Sequence, residues 1–159
     1  MPKIDLNKVP VKTGSTYPEP YASQMKGRSS LRLGEGAGLT QFGANLVIMA
    51  PGAVSSVRHW HQNEDEFVMV TQGELHLQED EGETLMTAGE FAAFPAGVPN
   101  GHRFVNRSDA EARFLVIGTK APTEVCTYSD VDMMINQVNG RGVFTRKDGS
   151  PMPEGDTGA

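Results

Sequence analysis

The stretch "TQFGANLVIM", Thr40 to Met49, sets Phe42, Ala44, Leu46 and Ile48 on one face at a period of two, which predicts a strand within residues 39–50. Similar segments follow at short intervals: "EFVMVTQ" (66–72), "ELHLQED" (74–80), "TLMTA" (84–88), "EFAAFP" (90–95), "HRFVN" (102–106) and "ARFLVIGT" (112–119). Turn signals separate them at Gln72-Gly73, Asp80-Glu81-Gly82, Ala88-Gly89, Pro95-Ala96-Gly97 and Arg107-Ser108-Asp109. Many short strands with turns between them predict an all-β sandwich or barrel rather than alternating βα units.

The flanks read differently. Residues 1–38, with "TYPEPYASQMKGRSS" and "GEGAG", carry prolines and glycines too densely for a regular element, and read as an arm over the surface or over a neighbour. Near the other end, Ser129 with Asp132 three residues on reads as a capping box. Val131, Met134, Ile135 and Val138 then fall at i, i+3, i+4 and i+7, which predicts a short helix ended by Asn139-Gly140. The tail "RKDGSPMPEGDTGA" is polar and expected to fray. The chain thus divides into an arm (1–38), a strand-rich unit (39–122) and a C-terminal extension (123–159) with a short helix and a polar tail.

Composition narrows the function classes. At 159 residues the chain fits one domain, able to bury roughly 70% of its unfolded surface. A net charge of −6 without a basic stripe argues against a nucleic-acid partner. The longest strictly apolar run, Leu46 to Ala50, stops at Pro51, far short of the roughly 20 residues that cross a bilayer, so no membrane partner is expected. "MPKIDLNKVPVK" lacks the apolar segment of a secretory signal, which makes a cytoplasmic address the expectation. Cys126, the lone cysteine, reads as a small buried apolar residue.

The chemistry concentrates in "RHWHQNEDEF", Arg58 to Phe67. On a strand His59 and His61 project to one side while Trp60 faces away, so both imidazoles can grip one ion. After the polar turn "QNED", Glu66 opens a strand whose face continues through Val68 and Val70, and a hairpin would return its carboxylate to the histidines. Glu66 therefore ranks first as an acidic ligand and Glu64 second, Glu64 and Asp65 being placed in a solvated turn. His102, at a turn-to-strand junction, supplies the candidate fourth ligand. His76, between Leu75 and Leu77, is expected on a solvated face.

The fuller string, Gly52, His59-x-His61, Glu66 and Gly73, resembles the first motif of the cupin superfamily. Gly89, Pro95-x-Gly97, His102 and Asn106 resemble the second. Six residues separate Gly52 from His59 where five are usual, and four separate Gly97 from His102 where two are usual; both additions fall in turns. The resemblance covers roughly residues 42 to 119, and within the superfamily the chain looks like small single-domain bacterial members often described as sugar-phosphate isomerases. It implies a cupin-type double-stranded β-helix, a jelly-roll barrel over residues 39–122, that holds one divalent metal ion through His59, His61, Glu66 and His102. It also implies that Asn106 braces a loop, and that two copies form a homodimer.

Three imidazoles and one carboxylate leave a divalent ion near +1, suited to an anionic or enolate-forming oxygen ligand. Such donors accept Zn, Mn, Fe, Ni, Co or Cu without choosing among them. The expected function is a metal-dependent enzyme on a small oxygenated molecule, sugar-like or a carboxylate, isomerase-like by resemblance. A metal-dependent dioxygenase and a non-catalytic small-molecule binding cupin are the alternatives. No general base stands out. Arg58, Trp60, Asn100, Arg103, Arg113 and Tyr128 are the candidates to line the mouth and bind substrate. The arm and the strand at 39–50 would leave an apolar face and an unpaired edge for a two-fold partner.

Overall fold

Alternating apolar positions become strands wherever a turn lets the chain reverse, and the described residues, 3–152 of a computed structural model, contain thirteen. They are β1 (Val11–Thr13), β2 (Arg28–Leu31), β3 (Phe42–Met49), β4 (His59–His61), β5 (Glu66–Gln72), β6 (Glu74–Glu79) and β7 (Gly82–Thr87). After these come β8 (Phe91–Phe94), β9 (Arg103–Val105), β10 (Ala112–Thr119), β11 (Thr123–Tyr128), β12 (Met134–Val138) and β13 (Arg141–Thr145). One four-residue helical turn, α1 (Leu33–Gly36), joins β2 to β3. No helix among the described residues is long and apolar enough to cross a membrane.

All strand pairs are antiparallel. One sheet has the order β1-β2-β3-β10-β5-β8, a second β13-β12-β11-β4 and a third β7-β6-β9. Bridges at His59–His102 and Val54–Val105 stitch the second and third together, so the six-stranded sheet faces a composite layer in jelly-roll fashion. The all-β, jelly-roll expectation holds. Between the layers lie Val47, Met49, Val68, Val70, Leu75, Leu77, Phe104 and Phe114, all buried. A second cluster, Met25, Val57, Cys126, Tyr128 and Met133, fills the end under β11.

The sequence reading needs four corrections. The buried face of β3 carries Val47 and Met49, whereas Ala44, Leu46 and Ile48 lie half-exposed on the other side and Phe42 is exposed. Leu46 to Met49 is apolar on both faces, so alternation alone could not choose; the pairing of Phe114 and Ser30 with Val47 decides it. The arm is not irregular throughout, because β1 and β2 extend the large sheet. β3 consequently has partners on both sides, and the expected unpaired edge does not exist there.

The fourth correction concerns the helix over 131–138, which is absent: β12 and β13 form a hairpin instead. Val138 pairs with Arg141 across the two-residue turn Asn139-Gly140, at φ +50° and +77°. Those positive values make the dipeptide a type I′ hairpin turn, a local signal stronger than the coincidental helical spacing before it. Of the polar tail, residues 153–159 lie outside the described residues. Up to Met152 it is ordered by a turn in which Arg146 N–H donates to Ser150 O at 2.8 Å and Gly149 N–H donates to Arg146 O at 3.0 Å.

Candidate metal centre

β4 and β5 bring the first three candidate ligands to one wall, and the bridge from His59 to His102 brings the fourth. His59 N–H donates to His102 O at 3.2 Å and His102 N–H to His59 O at 2.9 Å, so the backbone itself fixes their separation. The three imidazole Nε2 atoms converge on Glu66 Oε2, at 2.9 Å from His102, 3.5 Å from His61 and 4.0 Å from His59. The extra residues before His102 form the loop 98–101 without displacing it. Gly97 N–H donates to His61 O at 2.8 Å on one side of the loop, and Asn100 ties the other side to Glu79 and to Asp80 N–H. Gly101 in that loop lies so close to Ser129 that any side chain would collide with it.

Each ring is oriented by a different device. His59 Nδ1 lies 2.9 Å from Val57 O, which makes Nδ1 the protonated nitrogen and leaves Nε2 with its lone pair toward the cluster. Glu124 Oε1 lies 3.5 Å from His61 Nδ1, and the Glu124 carboxylate is itself fixed by Gln62 and Asn63 N–H at 2.7 and 2.8 Å. The His102 ring stacks on Phe94 with centroids 3.6 Å apart. Burial pushes the His59 imidazolium down to about 3, aided by repulsion from His102. For Glu66 burial acts upward, but the hydrogen bond from His102 and the nearby imidazoles prevail and hold its carboxyl at about 2. The site is thus kept neutral on His59 and ionised on Glu66, the forms a cation needs.

These residues fit a divalent ion. His61 Nε2, a buried atom that faces Glu66, lacks a hydrogen-bond partner among the described residues, an unfavourable state unless something coordinates there. The ligand atoms of His59, Glu66 and His102 all lie within 4.8 Å of one another, and His61 joins them through Glu66. Three nitrogens and one oxygen suit a first-row transition metal or zinc.

The cluster opens on a cavity of about 430 Å³ between the layers. Val68, Phe114 and Val116 form its apolar wall, and Tyr128 lies beside His59 with ring centroids 6.0 Å apart. Tyr128 is the one candidate mouth residue that lines this cavity. Arg58 instead pairs with Asp130, at 2.6 Å, and with Asp80, clamping the loop after β11. Trp60 points away beside Val98 and Asn100, and Asn100 braces its own loop. Arg103 donates to Gln78, and Arg113 pairs with Glu111 at 2.7 Å on the outer side of the sheet. His76 is half-buried, 3.5 Å from Glu83. Asn106 is buried and donates to Met49 O and Ala110 O, bracing the loop after β9.

Glu64, expected in solvent, lines the cavity, and burial raises its carboxyl above the ordinary range. Three further residues escaped the sequence reading. Glu124 and Cys126 reach the histidines because β11 pairs with β4, Cys126 opposite His61 and Tyr128 opposite His59, while Tyr17, between β1 and β2, lines the same cavity. A signal was available for β11: "TEVCTY" is rich in β-branched and aromatic residues.

Comparison with known proteins agrees with this fold. The family described as Cupin domain matches residues 45–118. No curated protein matches the chain. A crystal structure of a cupin-superfamily sugar phosphate isomerase from Silicibacter pomeroyi is 58% identical, with 96% of this chain and 97% of that one covered and a TM-score of 0.92. A sugar phosphate isomerase candidate from Acidithiobacillus ferrooxidans is 25% identical over 80% of this chain and 81% of that one, at TM-score 0.71. The polyketide cyclase RemF of Streptomyces resistomycificus shares the fold, with 21% identity, 75% and 79% of the chains covered and a TM-score of 0.61. The chain belongs to the cupin superfamily.

Proposed function

We propose that the protein is a metal-dependent enzyme of isomerase type, acting on a small oxygenated molecule, sugar-like or bearing a carboxylate. One divalent ion would be held by His59, His61, Glu66 and His102. The observation that carries this reading is the convergence of three Nε2 atoms on Glu66 Oε2 at the wall of a cavity between the layers. The isomerase assignment of the 58% identical relative supports the reaction class. A divalent ion bound there supplies Lewis acidity toward substrate oxygens.

The chain's own groups divide the remaining work. Val57 O and Glu124 hold the first two rings in place, and the stack on Phe94 holds the third. Val68, Phe114 and Val116 keep bulk water from the reacting carbons. Ala121 N–H donates to Glu64 Oε1 at 2.8 Å, which leaves Oε2 to take a proton from one carbon and return it to the next, while the hydroxyl proton passes to the former carbonyl oxygen. Burial raises the Tyr128 phenol, so it stays protonated and can donate to a substrate oxygen.

The test is a panel of small aldoses, ketoses and hydroxy acids incubated with metal-loaded protein and followed by NMR in deuterated water. Isomerisation with deuterium uptake at the carbon next to the carbonyl is expected, and it should disappear in His61→Ala. Oxygen consumption without isomerisation would replace this reading by dioxygenation. Saturable binding without turnover would replace it by a binding module.

We also propose a homodimer through the outer face of the six-stranded sheet. The register aligns Val11, Leu31, Leu46, Leu115, Met69 and Phe91 in one apolar row across all six strands. Light scattering at twice the chain mass is the expected result, and a monomer would retire the idea.

A further inference from the structure

The cavity has a second pole that the metal reading does not use. β1 and β2 extend the large sheet so that Lys12 stands opposite Ser30, and Ser30 opposite Val47 on the inward face. Arg28, two residues from Ser30, shares that face, and both Lys12 and Arg28 line the cavity with the histidines. In a chain of net charge −6, two inward cations need an explanation.

Neither cation has a carboxylate partner, since the ion pairs of Lys and Arg side chains among the described residues involve other groups. Arg32, next on the same face, is paired with Glu35 at 2.7 Å. Arg28 Nη1 donates to Gly14 O at 3.2 Å, but its buried Nε has no partner among the described residues. Burial, Arg32 and Arg28 hold Lys12 below its usual value, the direction expected where cations crowd together with no carboxylate beside them. Half-buried cations without counter-charge are destabilising unless an anion joins them. Ser15 and Thr16 place hydroxyl-bearing side chains along the same wall.

We propose that Lys12 and Arg28 form an oxyanion subsite, which binds a dianionic phosphate-like group of a substrate whose other end meets the His-Glu cluster. The inference rests on the proposed enzymatic reading only in taking the two poles to serve one molecule. A guanidinium and an ammonium together match the charge of a dianion, and a guanidinium can present paired donors to its oxygens. The substrate would then span the cavity, its carbonyl or hydroxyl oxygens toward His59 and His61 and its anion toward β1 and β2.

Isothermal calorimetry with inorganic phosphate, and with acetate as the monoanionic contrast, tests the subsite on metal-free protein. Phosphate should bind wild type at least tenfold more tightly than acetate does. Lys12→Gln and Arg28→Gln should each weaken phosphate at least tenfold. His61→Ala should bind phosphate as wild type does, whatever its metal content or activity, which separates this inference from the enzymatic one. Should Arg28→Gln fail to fold, Lys12→Gln decides, because it leaves the β1 ladder intact. Phosphate binding indifferent to Lys12→Gln, binding lost in His61→Ala but kept in Lys12→Gln, or acetate binding as tightly as phosphate would each overturn the subsite.

Discussion

Along β5 and β10 the inward face changes from dry to wet. Val70 on β5 and Ala112 on β10 close one end with Leu75, Leu77 and Met86 from the opposite layer, and Val68 and Phe114 mark the boundary with the cavity. At the other end the same two strands present Glu66 and Gly118 to the cavity. Both ends obey the same alternation; what differs is the opposing layer, which supplies leucines from β6 in one case and histidines from β4 in the other. The dry end carries stability, whereas the wet end gives up apolar contact for polar donors that fold poorly by themselves. Stability and chemistry are therefore separable within one pair of strands.

The separation can be broken from either side. Leu75→Ala, at a fully buried position in the dry end, should cost about 2–5 kcal/mol of unfolding free energy in denaturant titrations while one ion per chain still binds. Metal loss in a folded Leu75→Ala protein would show the two ends to be coupled. Glu124→Gln acts in the wet end, where it weakens the orientation of His61; metal affinity should fall roughly 10–100-fold in competition with a chelating dye. An unchanged affinity would remove Glu124 from the centre.

Acid sharpens the contrast. In metal-free protein, His59 titrates at about 3 instead of 6.5, so the unfolded chain takes up its proton in that window and the fold does not. Glu66 titrates at about 2 instead of 4.5, so the stability it contributes is present above 4.5 and lost as pH falls toward 2. Both signs agree: metal-free protein should lose stability as pH drops below 6.5, with the melting temperature falling by about 3 °C or more between pH 7 and 4.5. His59→Asn should flatten that slope, and an equally steep slope in the variant would contradict the assignment.

The smallest effect lies outside both ends. Gly140→Ala, at φ +77° in the β12–β13 turn, should cost about 1 kcal/mol by thermal melting and leave metal binding unchanged.

The strands from β3 to β10 were legible because each alternates between bracketing turns, and the ligand set was legible because histidines spaced by two must share a face. β1, β2 and β11 were not, although they complete the cavity with Lys12, Arg28, Cys126 and Tyr128. In β1 and β2 the inward residues Lys12, Arg28 and Ser30 are polar or charged, so no apolar period marks them, and β11 reaches the histidines only through its pairing with β4, far earlier in the chain. At β12, the helical spacing of Val131 to Val138 competed with the Asn139-Gly140 turn, and the backbone requirement of the turn prevailed. Glu64 was misplaced because a carboxylate in a polar turn reads as solvated until a neighbouring loop, here at Ala121, folds over it.

The central claim is that His59, His61, Glu66 and His102 hold one cation together. Equilibrium dialysis of chelator-stripped protein against zinc(II) or manganese(II) tests it directly. The account predicts one ion per chain in wild type, and occupancy lost in His61→Ala with the circular dichroism of the fold unchanged. A His61→Ala protein that binds metal as wild type does, or a wild type that binds none, would contradict it.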